Sequence, residues 1–257
     1  MDGQDLIVLD FDGVLCDSAY ENAATAWRCC RALWPADFAA PQVTGASAQQ
    51  FEAARPWLET GWQSVVMTWC IQRRMPFNDY TSGLEAALPG ILAAMGCTRT
   101  QLMKLFRQTR EEWLVRAREE WLGLHRFYPG IKTVMSLLRQ NCAVRILTTK
   151  ESHFIRELLA LAAVDFPDDA IFGLDRIVNK QHSLAEWLGL HRFRTISFVE
   201  DRYATLAGCE NNPALANLRL FLAGWGYNTA EQRAAAAADP RISLLESAGE
   251  LPELVNP

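Results

Sequence analysis

The string Leu6-Ile7-Val8-Leu9-Asp10-Phe11-Asp12-Gly13 places two carboxylates, two positions apart, directly after four apolar residues. Such an apolar run makes a buried strand, and residues i and i+2 of an extended chain point to the same side. Asp10 and Asp12 thus emerge together at the carboxyl end of a strand, where α/β proteins bind their ligands. Gly13 lets the chain turn there and brings backbone N–H groups close to an anion. Paired carboxylates in that setting suit two tasks, attack on an electrophile and movement of a leaving-group proton. Taken alone, Asp-x-Asp-Gly is also an ordinary solvated turn, and it is the preceding apolar run that argues for chemistry.

The elements that must hold these residues follow from hydrophobic patterning. Apolar strand-like runs recur at Leu6–Leu9, Ala143–Leu147, Ala170–Phe172, Ile196–Val199, Leu218–Leu222 and Ile242–Leu245. Between most of them lie helical patterns, such as Ile131, Val134, Met135, Leu137 and Leu138, which share one face. Strands alternating with helices predict an α/β fold, a Rossmann-like parallel sheet covered on both sides. From Ser18 to Tyr128 the pattern offers no buried strand, only amphipathic stretches such as Gln101 to Leu122. We read residues 18–128 as an all-helical domain inserted after the first strand, with residues 1–17 and 129–257 forming the core; Tyr128-Pro129-Gly130 supplies the breakers at the return. Glu-Trp-Leu-Gly-Leu-His-Arg-Phe occurs twice, at Glu120–Phe127 and Glu186–Phe193, with its Gly where a helix should stop. The run Ala234–Ala238 reads as a surface helix.

Composition narrows the partners. With 257 residues, half of them hydrophobic, the chain can bury a large core. A net charge of −5 and no block of Lys and Arg speak against nucleic acid. The acidic start Met1-Asp2-Gly3-Gln4-Asp5 fits neither a signal peptide nor a membrane span, so the expected location is the cytoplasm, with no membrane partner. Seven cysteines without a C-x-x-C pair suggest reduced thiols used in packing. Oligomeric state is not legible.

The stretch from Leu6 to Ser18 resembles motif I of the haloacid dehalogenase-like (HAD) superfamily. Asp10-Phe11-Asp12-Gly13-Val14-Leu15-Cys16-Asp17-Ser18 is similar to its form in the phosphoglycolate phosphatase and β-phosphoglucomutase branch. The resemblance implies that Asp10 attacks phosphorus while Asp12 acts as general acid and then base. It implies a hydroxyl residue closing the next core strand: Thr148, on a phosphoryl oxygen. Thr149 stands where relatives often carry Asn, and Lys150 extends a Thr-Asn-Lys-like pattern. A third motif implies a Lys that begins a helix, which is Lys180. Relatives commonly place Pro after that Lys and this chain has Gln181, so Lys150 and Arg176 stay as alternatives. The fourth is Glu200-Asp201 after Thr195-Ile196-Ser197-Phe198-Val199, with Asp201 the preferred direct ligand of Mg2+ alongside Asp10, Asp12 and Glu200. Thr205 stands where many family phosphatases have a further Asp.

Phosphate binding is thereby assigned to Gly13, Thr148, Thr149 and Lys180. Leu220–Asn228, with its Trp-Gly-Tyr, also resembles a loop of this branch. Residues 18–128 occupy the place of the family's helical cap, within which Arg55–Trp62 is a candidate specificity patch that packing explains as well. The implied activity is a magnesium-dependent phosphatase acting on a small phosphorylated metabolite through an aspartyl-phosphate. The alternatives are a phosphomutase of the β-phosphoglucomutase type and a non-catalytic binding or regulatory module on a degenerate phosphatase fold. Dehalogenation is disfavoured, because those relatives lack the second aspartate that this chain retains as Asp12.

Overall fold

The computed structural model describes residues 3–255, and the chain divides into two compact units. One contains the residues up to Asp17 and those from Arg126 onward; the other is Ser18–His125.

The first unit is built on β1 (Gln4–Leu9), β2 (Cys16–Asp17), β3 (Arg126–Phe127), β4 (Ala143–Leu147), β5 (Ile171–Phe172), β6 (Phe193–Glu200), β7 (Arg219–Ala223) and β8 (Ile242–Leu245). Six of these form a parallel sheet in the order β5-β4-β1-β6-β7-β8. This is the α/β architecture expected from the alternation of apolar runs and amphipathic helices. Leu6, Ile7, Val8 and Leu9 are wholly buried, as a central parallel strand with both faces covered must be. The helix Ile131–Asn141 buries Ile131, Val134, Met135 and Leu138, while Leu137 stays exposed, so the apolar stripe is narrower than the sequence pattern. After β1 the next sheet strands in the chain, β4 and β5, lie to one side of it, and β6 returns to its other side. The order therefore reverses at β1, and the crevice beyond its carboxyl end is the topological switch point.

The strands β2 and β3 pair antiparallel, Cys16 with Phe127 and Asp17 with Arg126. The sequence reading has no strand between residues 18 and 128, and a two-residue ladder is too short to leave a periodic signal. Through this pairing the second boundary between the units falls between His125 and Arg126 rather than after Tyr128.

The second unit is helical, with Ala19–Leu33, Gly45–Ala54, Gln63–Gln72, Leu84–Met95, Arg99–Arg116 and Arg118–Leu122 as its α-helices. The stretch expected as one run from Gln101 to Leu122 is two helices, broken at Ala117, whose φ of −150° lies outside the helical region. Its start is set by a reciprocal capping box between Thr98 and Gln101. Trp27, Phe38, Phe51, Val65 and Met67 belong to its apolar core.

Beside that core lies a buried ionic knot. Glu21, fully buried, accepts Arg110 Nε at 2.8 Å and Nη2 at 2.5 Å, the Thr25 hydroxyl at 2.6 Å and Trp121 Nε1 at 3.1 Å. His125 Nε2 lies 3.7 Å from the same carboxylate.

Both copies of the repeated octapeptide span a helix end and a strand start, from Leu122 to Arg126 and from Gly189 to Phe193, and both bury their Trp. In both copies the helix does stop at the glycine, ending at Leu122 before Gly123 and at Gly189, though neither glycine is left-handed. Gly123 is right-handed at φ −65°, and in the second copy it is His191 that takes the positive φ, 50°. The alanine run lies in the helix Ala230–Ala238, which buries only Ala236. All seven cysteines are free thiols, and all but Cys97 are buried. Among the described residues no helix is long and apolar enough to cross a membrane.

Candidate active site

Asp10 follows the last residue of β1, and its backbone N–H is held by the Val199 carbonyl of β6 at 3.0 Å, so the sheet itself fixes its position. The chain then tightens into a single turn, in which Leu15 and Cys16 N–H groups both donate to the Phe11 carbonyl. Gly13 has φ 87°, and a Cβ there would fall 1.9 Å from Asp201 Oδ2, so only glycine lets this turn lie against that carboxylate.

The ends of β1 and β6 bring carboxylates together. Ligand oxygens of Asp10, Glu200 and Asp201, all buried, lie within 4.8 Å of one another. Asp12 is not part of this cluster, although the sequence reading has it among the metal ligands; its Oδ1 lies 2.9 Å from the Lys150 Nζ. Lys180 Nζ bridges Asp10 Oδ2 at 2.9 Å and Glu200 Oε2 at 2.7 Å. Each aspartate of the pair thus has its own ammonium group.

Local structure places each of these lysines. Lys180 is the first residue of the helix Lys180–Gly189, whose N-cap Asn179 accepts the His182 N–H at 2.8 Å. A cation at that end opposes the helix dipole, and the two carboxylates offset the conflict. Lys150 is held by the loop after β4: the Leu174 N–H donates to its carbonyl, and a Cβ at Gly173 would lie 2.5 Å from that same oxygen. The third alternative cation is elsewhere, since Arg176 donates to the carbonyls of Asp168 and Ile171.

Thr148 is buried, and its Oγ1 accepts the Lys150 N–H at 3.3 Å, a bond that leaves the hydroxyl hydrogen for another acceptor. Thr149 beside it is half-buried. The departures from the family pattern have structural employment: the Gln181 side-chain oxygen accepts from Asn212, and the Thr205 hydroxyl accepts from Arg202. In the helical unit, Arg55 donates to the Leu58 carbonyl of its own turn at 3.5 Å, and Trp62 is buried beneath Arg99.

Two groups of this site carry shifted protonation. Burial pushes the Asp10 carboxyl up to about 7, against the pull of Lys180 and with the help of Glu200 and Asp12. Burial works to lower the Lys180 pKa, but Asp10 and Glu200 overcome it and hold the ammonium above its ordinary value. Three buried carboxylates, Asp10, Glu200 and Asp201, converge here, and Lys180 lies against two of them. That cluster of hard oxygen donors, without His or Cys, fits a divalent cation of the magnesium type.

The loop at the end of Leu220–Asn228, whose resemblance to the family loop came with no role for any of its residues, completes the site. Tyr227 N–H donates to Asp201 Oδ2 at 2.8 Å, the Asn228 amide donates to the Asp201 carbonyl at 3.0 Å, and Trp225 Nε1 donates to the Val14 carbonyl at 3.1 Å. The only advance signal was the Trp-Gly-Tyr string itself; a Cβ on its Gly226 would fall 2.3 Å from the Asp201 Cβ.

A six-stranded parallel sheet in this order, with a helical unit inserted after its first strand, is a fold this chain shares with solved structures described as phosphatases and haloacid dehalogenase-like hydrolases. The chain is similar over nearly its whole length to solved structures of that fold. A predicted phosphoglycolate phosphatase from Haemophilus somnus shares 15% identity, with 97% of this chain and 96% of that one covered at a TM-score of 0.62. A predicted phosphatase from Clostridium acetobutylicum shares 17% identity over 99% of both chains, also at 0.62. A haloacid dehalogenase-like hydrolase from Streptococcus pneumoniae shares 14% identity over 97% of both, at 0.58. No protein-family model and no curated protein sequence matches the chain.

Proposed function

We propose that this protein is a magnesium-dependent phosphatase that hydrolyses a phosphate monoester of a small metabolite through a phosphoryl group carried on Asp10. The observation that carries this reading is the convergence of Asp10, Glu200 and Asp201 within 4.8 Å at the switch point, with Lys180 bridging two of them. Asp10, Glu200 and Asp201 would hold the metal, and the bound ion would supply charge neutralisation and polarise a phosphoryl oxygen.

The chain's own groups divide the remaining work. The Asp10 carboxylate attacks phosphorus, and the bond to the leaving oxygen breaks as that oxygen takes a proton from Asp12. Asp12, now a carboxylate facing Lys150, accepts a proton from the water that hydrolyses the acyl phosphate. Lys180 and the Thr148 hydroxyl hold phosphoryl oxygens as charge builds on them. The helical unit is the cap that chooses the substrate in this reading. The names carried by the similar structures favour phosphate ester hydrolysis over dehalogenation.

The test is phosphate release from p-nitrophenyl phosphate by the full-length chain. Release should require magnesium and vanish in Asp10→Asn; equal release after complete metal removal would contradict the proposal.

A further inference from the structure

The Tyr227 residue touches two carboxylates with two different groups. Its backbone N–H holds Asp201 Oδ2 at 2.8 Å, and its phenol donates to Asp17 Oδ1 at 2.9 Å. The other Asp17 oxygen takes Arg126 Nη2 at 3.1 Å. Asp17 and Arg126 face each other in the β2–β3 ribbon, and they are also the residues at which the chain leaves and re-enters the first unit. One residue thus spans, through its backbone and its phenol, from a proposed metal ligand to the paired crossings into the inserted unit.

We propose that Tyr227 is a positioning residue that couples cation binding at Asp201 to the ordering of the β2–β3 ribbon through Asp17. The inference rests on the magnesium site proposed above. The clustered carboxylates repel one another, and a cation among them would add a restraint to Asp201, whose Oδ2 already takes the Tyr227 N–H. A cation fixes its carboxylate, the carboxylate fixes the Tyr227 N–H, and the loop from Trp225 to Asn228 has little slack. Gly226 lies so close to Asp201 that no side chain fits between them, and Asn228 is tied to the Asp201 and Ala223 carbonyls at 3.0 and 2.9 Å. Fixing the backbone of Tyr227 therefore fixes where its phenol meets Asp17. Hydrogen bonds to a charged acceptor are among the stronger ones, so the link can carry an appreciable coupling.

Coupling of this kind is reciprocal: if the cation orders the ribbon, the ordered ribbon tightens the cation by the same factor. The experiment is a double-mutant cycle on the full-length chain. Magnesium affinity is measured by calorimetry, and hydrogen exchange is followed by mass spectrometry across peptides covering residues 13–18 and 124–128. In the wild type, magnesium should slow exchange in both peptides. Tyr227→Phe keeps the backbone N–H on Asp201, yet it should lose that slowing and bind magnesium about tenfold more weakly. Asp17→Ala should do likewise, and the double variant should be no weaker than Asp17→Ala alone, because both remove one link; the charge lost with Asp17 cancels in the cycle. Additive losses, or unchanged exchange behaviour in Tyr227→Phe while magnesium still binds, would overturn the coupling alone. A wild type that binds no magnesium would overturn both the coupling and the metal site.

Discussion

Two buried ionic clusters among the described residues are built on opposite plans. In the helical unit a single carboxylate, Glu21, is surrounded by donors from Arg110, Thr25 and Trp121, with His125 nearby. In the sheet unit three carboxylates, Asp10, Glu200 and Asp201, converge within 4.8 Å of one another, with Lys180 bridging two of them. A saturated cluster has nothing left to offer a ligand and can only hold its helices together. An unsaturated one is a standing electrostatic cost, raised by burial, which an incoming cation relieves. Charge balance, more than burial or the presence of acids, separates the structural cluster from the one proposed to bind metal.

The largest effect expected from breaking this contrast lies on the saturated side. Arg110→Ala strands Glu21 as an uncompensated buried charge and should cost about 3–5 kcal/mol of stability. Urea unfolding with and without magnesium would check this, the loss being the same in both.

On the reactive side, Lys180→Ala removes the charge between Asp10 and Glu200. Steady-state hydrolysis of an aryl phosphate should fall by roughly 100- to 1,000-fold, in line with loss of one transition-state donor.

Smaller and opposite in sign is the effect of Asp201→Asn, which relieves repulsion while losing a metal ligand. The metal-free variant should melt no lower than the metal-free wild type. Magnesium at 100 times its Kd should stabilise the wild type by about 2.7 kcal/mol and the variant far less. Thermal melts with and without the ion distinguish these, and a variant that loses stability without metal would place Asp201 among structural residues.

The smallest effect concerns pH. A proton on Asp10, held up to about 7 by burial, competes with the cation. Affinity for magnesium should therefore rise about tenfold from pH 6 to pH 8 and then level off, with proton release seen by calorimetry in two buffers. Because this carboxyl's pKa is raised on folding, its contribution to the stability of the metal-free chain is present at low pH and is lost as pH climbs through about 7.

Much of the fold was legible because buried parallel strands announce themselves as short apolar runs, and all six sheet strands lie at or within a few residues of the runs read from the sequence. Asp10, Glu200 and Asp201 stood out for the same reason, as acids closing such runs. The β2–β3 ribbon was not legible, since two paired residues have no period. Nor was the division of the lysines. Whether Lys150 or Lys180 reaches Asp10 depends on how the loop after β4 folds against Gly173, a contact between residues distant along the chain. The reach of Tyr227 to both Asp201 and Asp17 depends likewise on tertiary packing around Gly13 and Gly226.

The central claim is that Asp10, released from its cage of charges by a cation, carries the phosphoryl group. Asp12→Asn removes the proton shuttle but leaves the attacking carboxylate, and general acid–base help is worth roughly 100- to 10,000-fold. With an aryl phosphate, whose leaving group scarcely needs a proton, the phosphorylated form should accumulate in this variant. Rapid acid quenching followed by mass spectrometry should find the adduct on the peptide containing Asp10, dependent on magnesium and missing from folded Asp10→Asn protein. An adduct on any other residue, or full turnover by Asp10→Asn, would contradict the account.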